Sequence, residues 1–189
     1  MRWTRAVITL ATLGATLGVA LDGWHVATGT TRYASPSMFG IASWAIPLFA
    51  GAGVVVGVVP VVIERAVGRH VTAASRARVA IAIALFVAAY LVTGVLHGGV
   101  CAVVLAVIAI AIYAVGDRPP LALALAHALS AAAGGVLVET TLVHFGLFFH
   151  ADDRLFGVAP WLPLLYVCAS LALTTLARFI AAPLGASAG

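Results

Sequence analysis

The stretch PLALALAHALSAAAGGVLVETTLVHFGLF, residues 120–148, decides the fold. Its only ionisable side chains are His127, Glu139 and His144. A helix on the surface of a soluble domain would carry a broad polar stripe, and this run has none. It is long enough to cross a bilayer, which takes about 20 apolar residues. Working outward, the rest of the 189-residue chain has the same character: 63% hydrophobic and 8% charged, with a mean hydropathy of +1.16. So little charge cannot cover the surface of a soluble domain, so the chain is an integral membrane protein. Apolar runs are continuous and lack the period-two alternation of a transmembrane barrel, so the class is all-α.

Six spans are expected, at about 6–26, 41–63, 78–97, 99–116, 120–148 and 160–181, forming one transmembrane domain over 1–189. Ten arginines and no lysine supply the basic charge. Eight of the arginines (Arg2, Arg5, Arg65, Arg69, Arg76, Arg78, Arg118 and Arg178) fall on one side of a six-span arrangement, and only Arg32 and Arg154 on the other. The positive-inside rule then places both termini in the cytoplasm. Heavy Ala, Val and Gly use without lysine suggests a GC-rich bacterial genome, and hence the bacterial inner membrane. The N-terminus has the outline of a signal peptide. Its apolar stretch runs long, however, and Trp24 reads as an interfacial anchor, so it is taken as a retained span. Cys101 and Cys168 fall within apolar runs and read as buried thiols. Arginines beside the membrane do not point to nucleic acid. No period of 20–50 residues repeats, and no inverted pair of broken helices is visible.

Glu139 demands a partner, a cavity or water, since an ionised group at the bilayer centre costs about 3 kcal/mol or more. On an ideal helix Thr140, Thr141 and His144 share one sector, with Glu139 about 140° from His144. This polar sector reads either as the wall of a ligand cavity or as an interhelical hydrogen bond, to His97, Thr93 or a backbone carbonyl. Gly134 and Gly135, with His127 and Ser130 before them, permit close approach of a neighbouring helix or a ligand. The GxxxG spacings Gly14/Gly18 and Gly53/Gly57 predict helix packing within the chain or between copies. Two residues five apart do not form a metal-ligand set. GxSxG, HExxH, CxxC and phosphate-binding glycine motifs are all absent. Asp152–Asp153–Arg154 reads as a short solvated loop, and no cofactor is implied.

Three further stretches belong together: SWAIPLFAGAGVVVGVVPVVIE (43–64), YAVGDRPP (113–120) and FGVAPWLPLLY (156–166). In order and spacing they resemble the Insig family, small six-span sensors of the endoplasmic reticulum. Trp44, Pro47, Pro60 and Glu64 are similar to its second-span motif, Asp117–Arg118 to its Asp-Arg pair, and Trp161–Leu162–Pro163 to the opening of its sixth span. The chain departs from the pattern at Pro119–Pro120 and near Val100. The resemblance implies a binding protein rather than an enzyme, one that holds a lipid within its bundle and signals through a membrane-protein partner. It gives Asp117 and Arg118 a partner-binding role. The ligand it implies is mainly apolar with a small polar head, diacylglycerol-like or sterol-like, held by Gly134, Gly135, Glu139, Thr140 and His144. A homo-oligomer, drawn as a trimer from the small-residue faces, completes the expectation. The competing reading is a small transporter or channel that uses Glu139 and His144.

Overall fold

The computed structural model describes residues 2–182. Met1 and 183–189, the two ends of the expected domain, lie outside the described residues. Six helical spans run Arg2–Ala27, Ala45–Ala66, Arg76–Thr93, Gly98–Val115, Leu121–His144 and Leu162–Ala181. The first comprises α1 (Arg2–Leu13), a π-helical turn (Gly14–Gly18) and α2 (Val19–Ala27). The others are α3 (Ala45–Ala66), α4 (Arg76–Thr93), α5 (Gly98–Val115), α6 (Leu121–His144) and α7 (Leu162–Ala181). Two short strands, β1 (Thr31–Tyr33) and β2 (Phe148–His150), lie at the end opposite the eight arginines, here called the outer end.

α7 is the axis of the bundle. It is by far the most buried span, with more than half of its residues shielded against about a fifth in the others. It packs against α1, α3, α4, α5 and α6. The lipid-facing helices expose Val, Ile and Leu, as a bilayer solvent allows. Pro163 sits in the first turn of α7, where its missing N–H removes no helical bond.

The glycine pairs seen in the sequence bring α1 onto α3. A Cβ on Gly14 would run into the backbone carbonyl of Phe49, and one on Gly53 into that of Leu10. The π-helical turn starting at Gly14 falls at this crossing.

α6 ends at His144, four residues short of the expected span. Gly146 takes a positive φ of 66° and turns the chain into β2, which pairs antiparallel with β1: Thr31 with His150, Arg32 with Phe149, Tyr33 with Phe148. Strand signals this short are invisible among apolar runs, and neither strand is foreseen in the sequence.

That ribbon belongs to a long repeat within the chain. At a constant separation of 117 residues, Thr31 maps onto Phe148, Arg32 onto Phe149 and Tyr33 onto His150. The observed pairing is therefore the one generated by a two-fold axis through Arg32 and Phe149. The same separation maps Gly18 onto Gly135, Asp22 onto Glu139, Phe39–Gly40 onto Phe156–Gly157, Trp44 onto Trp161 and Phe49 onto Tyr166. Both Phe-Gly pairs form tight turns with positive φ at both positions, 53° and 78° in the first, 53° and 88° in the second. Each turn is closed by a bridge, Met38 with Ile41 and Leu155 with Val158. Phe39 and Phe156 remain exposed at the outer end, where an aromatic ring suits a membrane interface. The first span with α3 thus corresponds to α6 with α7, and the α4–α5 hairpin lies between the two halves in sequence.

The correspondence breaks in one place. α1 packs on α7, but among the described residues the counterpart pair, α6 and α3, makes no comparable contact. A gap is left between α3 and α6.

Candidate functional site

That gap leads into a cavity of about 490 Å³, a size typical of small-molecule sites. It lies along the two-fold relation: Asp22 and Glu139, Tyr33 and His150, Trp44 and Trp161, and Phe49 and Tyr166 all line it as pairs. Leu17, Leu48, Val56, Phe86 and Leu165 are among its apolar walls. Gly51 and Val55 on α3, and Gly134 and Val138 on α6, line the cavity and are also exposed on the outside of the chain. The cavity therefore opens sideways, towards the hydrocarbon.

From α6 the lining comes from Ser130, Ala131, Gly134, Gly135, Val138, Glu139 and Leu142, a stripe at the helical period. Of the residues expected from sequence, Gly134, Gly135 and Glu139 are in this stripe. Thr140 and His144 are not. The sector that faces inward is Glu139's, and the Thr140–Thr141–His144 sector faces elsewhere. His144 is exposed at the end of α6 with its ring against Phe145. Among the described residues the buried hydroxyl of Thr140 has no partner, while Thr141 bonds back to the Leu137 carbonyl. Gly135 is required by packing, because a Cβ there would enter the Tyr166 ring.

Polar groups gather at the outer end of the cavity, tying helices to the β1–β2 ribbon and to one another. Tyr33 donates its hydroxyl proton to Asp22 Oδ2 at 2.6 Å. At the equivalent place, His150 Nε2 lies 2.8 Å from Glu139 Oε2, and the Tyr166 hydroxyl donates to Glu139 Oε1 at 2.7 Å. Burial, with Asp22 beside it, holds the Tyr33 phenol well above its ordinary range, so it stays a donor. His25 stacks on Tyr90 with centroids 4.6 Å apart. Its Nε2 lies 2.7 Å from Thr93 Oγ1. Thr93 gives its own proton to the Tyr90 carbonyl, so His25 Nε2 is the donor in that pair. Thr93 thus serves His25 rather than Glu139. None of Asp22, His25, Tyr33 and His150 is singled out by the sequence reading. The signal that finds three of them is the 117-residue separation, which pairs Asp22 with Glu139 and Tyr33 with His150.

The arginine-rich end is built differently. Arg178 reaches Glu64 through Nε at 3.0 Å and Nη2 at 2.5 Å, and Asp117 Oδ2 through Nη1 at 2.9 Å. Asp117 Oδ1 accepts from the backbone of Ala74 at 2.5 Å, and His127 Nδ1 lies 3.3 Å from Glu64. Arg78 caps the carbonyls of Val115 and Gly116. The side chain of Asp117 is fully buried in this cluster, whereas Arg118 is exposed and donates to the Ala114 carbonyl. Of the pair expected to meet a partner, Asp117 faces inward and Arg118 outward. Cys101 and Cys168 are both free and buried. Among the described residues, no three His, Cys, Asp or Glu side chains are grouped to hold a metal ion.

With the geometry known, comparison with other proteins identifies the chain. It is 34% identical over 175 residues to an INSIG protein homolog of Mycolicibacterium vanbaalenii, covering 88% of this chain and 81% of that one. The chain belongs to the Insig family. No family profile matches it. Two solved structures share its fold: the mycobacterial Insig homolog MvINS from Mycobacterium vanbaalenii, with a TM-score of 0.79, 24% identity and coverage of 92% of this chain and 93% of that one, and a cross-linked MvINS trimer, with a TM-score of 0.80, 24% identity and coverage of 93% and 94%. In this Insig family member, Trp44 and Trp161 are equivalent residues of the two halves, both lining the cavity. Glu64 and Asp117 are the two carboxylates joined by Arg178.

Proposed function

We propose that this protein is a lipid-binding sensor that holds one mainly apolar lipid, diacylglycerol-like or sterol-like, in the cavity between α3 and α6. It binds reversibly and carries out no covalent chemistry on the lipid. The observation that supports this reading is the sideways opening: an apolar cavity with polar groups at one end, reached through a gap between two lipid-facing helices. A membrane lipid can enter through such a gap without crossing water. Packing within a lipid solvent gives helices no hydrophobic reason to leave a space of this size, so a ligand that fills it adds the missing contacts.

A homo-oligomer, as a trimer, is part of the same proposal, supported by the trimeric state named for MvINS. Binding of a membrane-protein partner would use the arginine-rich end around Arg118, in the bacterial inner membrane.

Native mass spectrometry of protein purified gently from its own membrane tests the reading. One stoichiometric, chemically uniform neutral lipid is expected. Gly134→Phe is the matching variant, because Gly134 lines the cavity and has open space where a side chain would begin. The lipid should be lost from a folded variant. A heterogeneous lipid ring, washed off without loss of stability, would overturn the proposal.

A further inference from the structure

Two turns at the outer end combine features that the fold itself does not call for. In each, two residues link a bridged pair, Met38 with Ile41 and Leu155 with Val158. Both linking residues take positive φ, Phe39 with Gly40 in one turn and Phe156 with Gly157 in the other. Such a turn favours Gly, Asn or Asp. The second position obeys that rule, where space is short: a Cβ on Gly40 would meet Val26, and one on Gly157 would meet Val143. The first position breaks it twice, because a bulky side chain in left-handed backbone is strained. Packing does not offset the strain. Phe39 is 84% and Phe156 79% exposed, the two most exposed large hydrophobic residues among those described. A ring left in water adds a second cost. What compensates for both lies outside the chain.

The two-fold relation indicates what it is. Each half runs from the arginine-rich end to the outer end and back, the first span with α3 in one, α6 with α7 in the other. The halves are therefore parallel repeats, and their axis lies along the membrane normal. Phe39 and Phe156, 117 residues apart, then sit at one depth on opposite sides of that axis. A folded partner seated on one flank would meet one ring and miss the other. Lipid surrounds the bundle and meets both. Met38 and Phe145, 53% and 68% exposed, add apolar surface at the same end.

We propose that Phe39 and Phe156 are a pair of membrane anchors, equal in depth, whose rings enter the leaflet at the outer end and hold the β1–β2 ribbon at the level of the lipid head groups. The surface they fit is the apolar layer just beneath those head groups. Between them the ribbon presents Arg32, its guanidinium 4.2 Å from the centroid of the Phe149 ring, an apolar stem with a cationic tip that suits the boundary between hydrocarbon and water. Anchors on both sides of the axis oppose tilt of the bundle as well as vertical movement. This anchoring stands whether or not the cavity holds a lipid.

The test uses the full chain in vesicles of phosphatidylcholine and phosphatidylglycerol, with a nitroxide attached through Phe39→Cys or Phe156→Cys. The wild type, whose two cysteines are buried, is the labelling control. Power-saturation EPR compares the access of oxygen, which concentrates in the bilayer, with that of a water-soluble nickel complex. At both sites oxygen is expected to exceed nickel several-fold, with depths that agree within about 5 Å, one helical turn. Nickel in excess at either site would place that ring in water and overturn the anchors. Shielding from both reagents would mean that another copy of the chain covers the ring, and would overturn them too, as would unequal depths. A second measurement separates anchoring from a role in folding. Phe39→Gly and Phe156→Gly remove the ring and relax the left-handed backbone. Each is expected to melt in detergent no lower than the wild type. A lower melting temperature, or a variant that does not fold, would show that the rings serve the turns themselves and would overturn the anchor assignment.

Discussion

The two ends of the bundle hold buried charge in opposite ways. At the arginine-rich end, Arg178 spreads its guanidinium over Glu64 and Asp117, and the loop backbone at Ala74 takes the remaining carboxylate oxygen. At the outer end, Asp22 and Glu139 are each tied to a residue of the short β1–β2 ribbon, yet among the described residues the Thr31 hydroxyl and His150 Nδ1 have no hydrogen-bond partner. The first end is closed on itself and joins α3, α7 and the loops that flank α4 and α5. The second is open to a cavity. In a membrane both are expensive, and they differ in whether the compensation is internal. A completed polar network signals architecture, and an incomplete one at a cavity signals a ligand.

That contrast can be broken or sharpened by substitution. The largest effect is expected from Arg178→Leu, which strands two buried carboxylates; a loss of about 3–5 kcal/mol should leave little folded protein, measured by thermal unfolding in detergent. Survival of this variant with near-native stability would remove the architectural half of the comparison. Next come the equivalent glycines. Gly135→Ala should destabilise by about 1–3 kcal/mol, since the new Cβ would lie within the Tyr166 ring. Gly18→Ala should cost less, because its Cβ would meet Phe49 Cδ1 at 3.1 Å, a contact that a small ring shift relieves. A reversed order would show that the two halves do not pack as equivalents. Asp22→Asn, which keeps an acceptor for the Tyr33 hydroxyl, should change stability by only about 1 kcal/mol in thermal unfolding; an unfolded variant would make the outer end structural as well. The smallest effect belongs to Arg154→Ala. Arg154 holds Asp152 below the usual carboxylate range through a hydrogen bond. That contribution is present above the ordinary aspartate pKa and fades as pH falls through the lowered one. The pair is on the surface, so melting curves of this variant and the wild type should coincide at neutral pH.

Much of the architecture was legible in the sequence. Six long apolar runs and a one-sided arginine distribution decide span number and orientation by solvation alone, and Trp44, Glu64, Asp117 and Trp161 carry the family resemblance. The site was only partly legible. Gly134, Gly135 and Glu139 belong to one helical stripe, but the choice of inward face on α6 depended on where α3 and α7 lie. A helical wheel drawn for one span favours its own polar cluster, and it drew attention to Thr140 and His144. Asp22 is near the end of its span, where an acid reads as solvated, and His150 falls in a loop made into structure by pairing with a distant strand. Both are found by comparing the chain with itself at 117 residues, because matching of Phe-Gly turns, tryptophans and acids accumulates there although each is weak alone.

On the lipid-binding reading proposed above, the gap between α3 and α6 sets the scale on which a ligand would be measured. A lipid that enters from the bilayer leaves one hydrocarbon environment for another, so transfer from water contributes almost nothing to its affinity. Occupancy then follows the mole fraction of the lipid in the membrane, not its concentration in the cytoplasm. An affinity quoted in molar units from detergent solution would change with the detergent. Expressed as mole per cent of bilayer lipid, it becomes a threshold of membrane composition, set by a handful of hydrogen bonds at one end of the cavity.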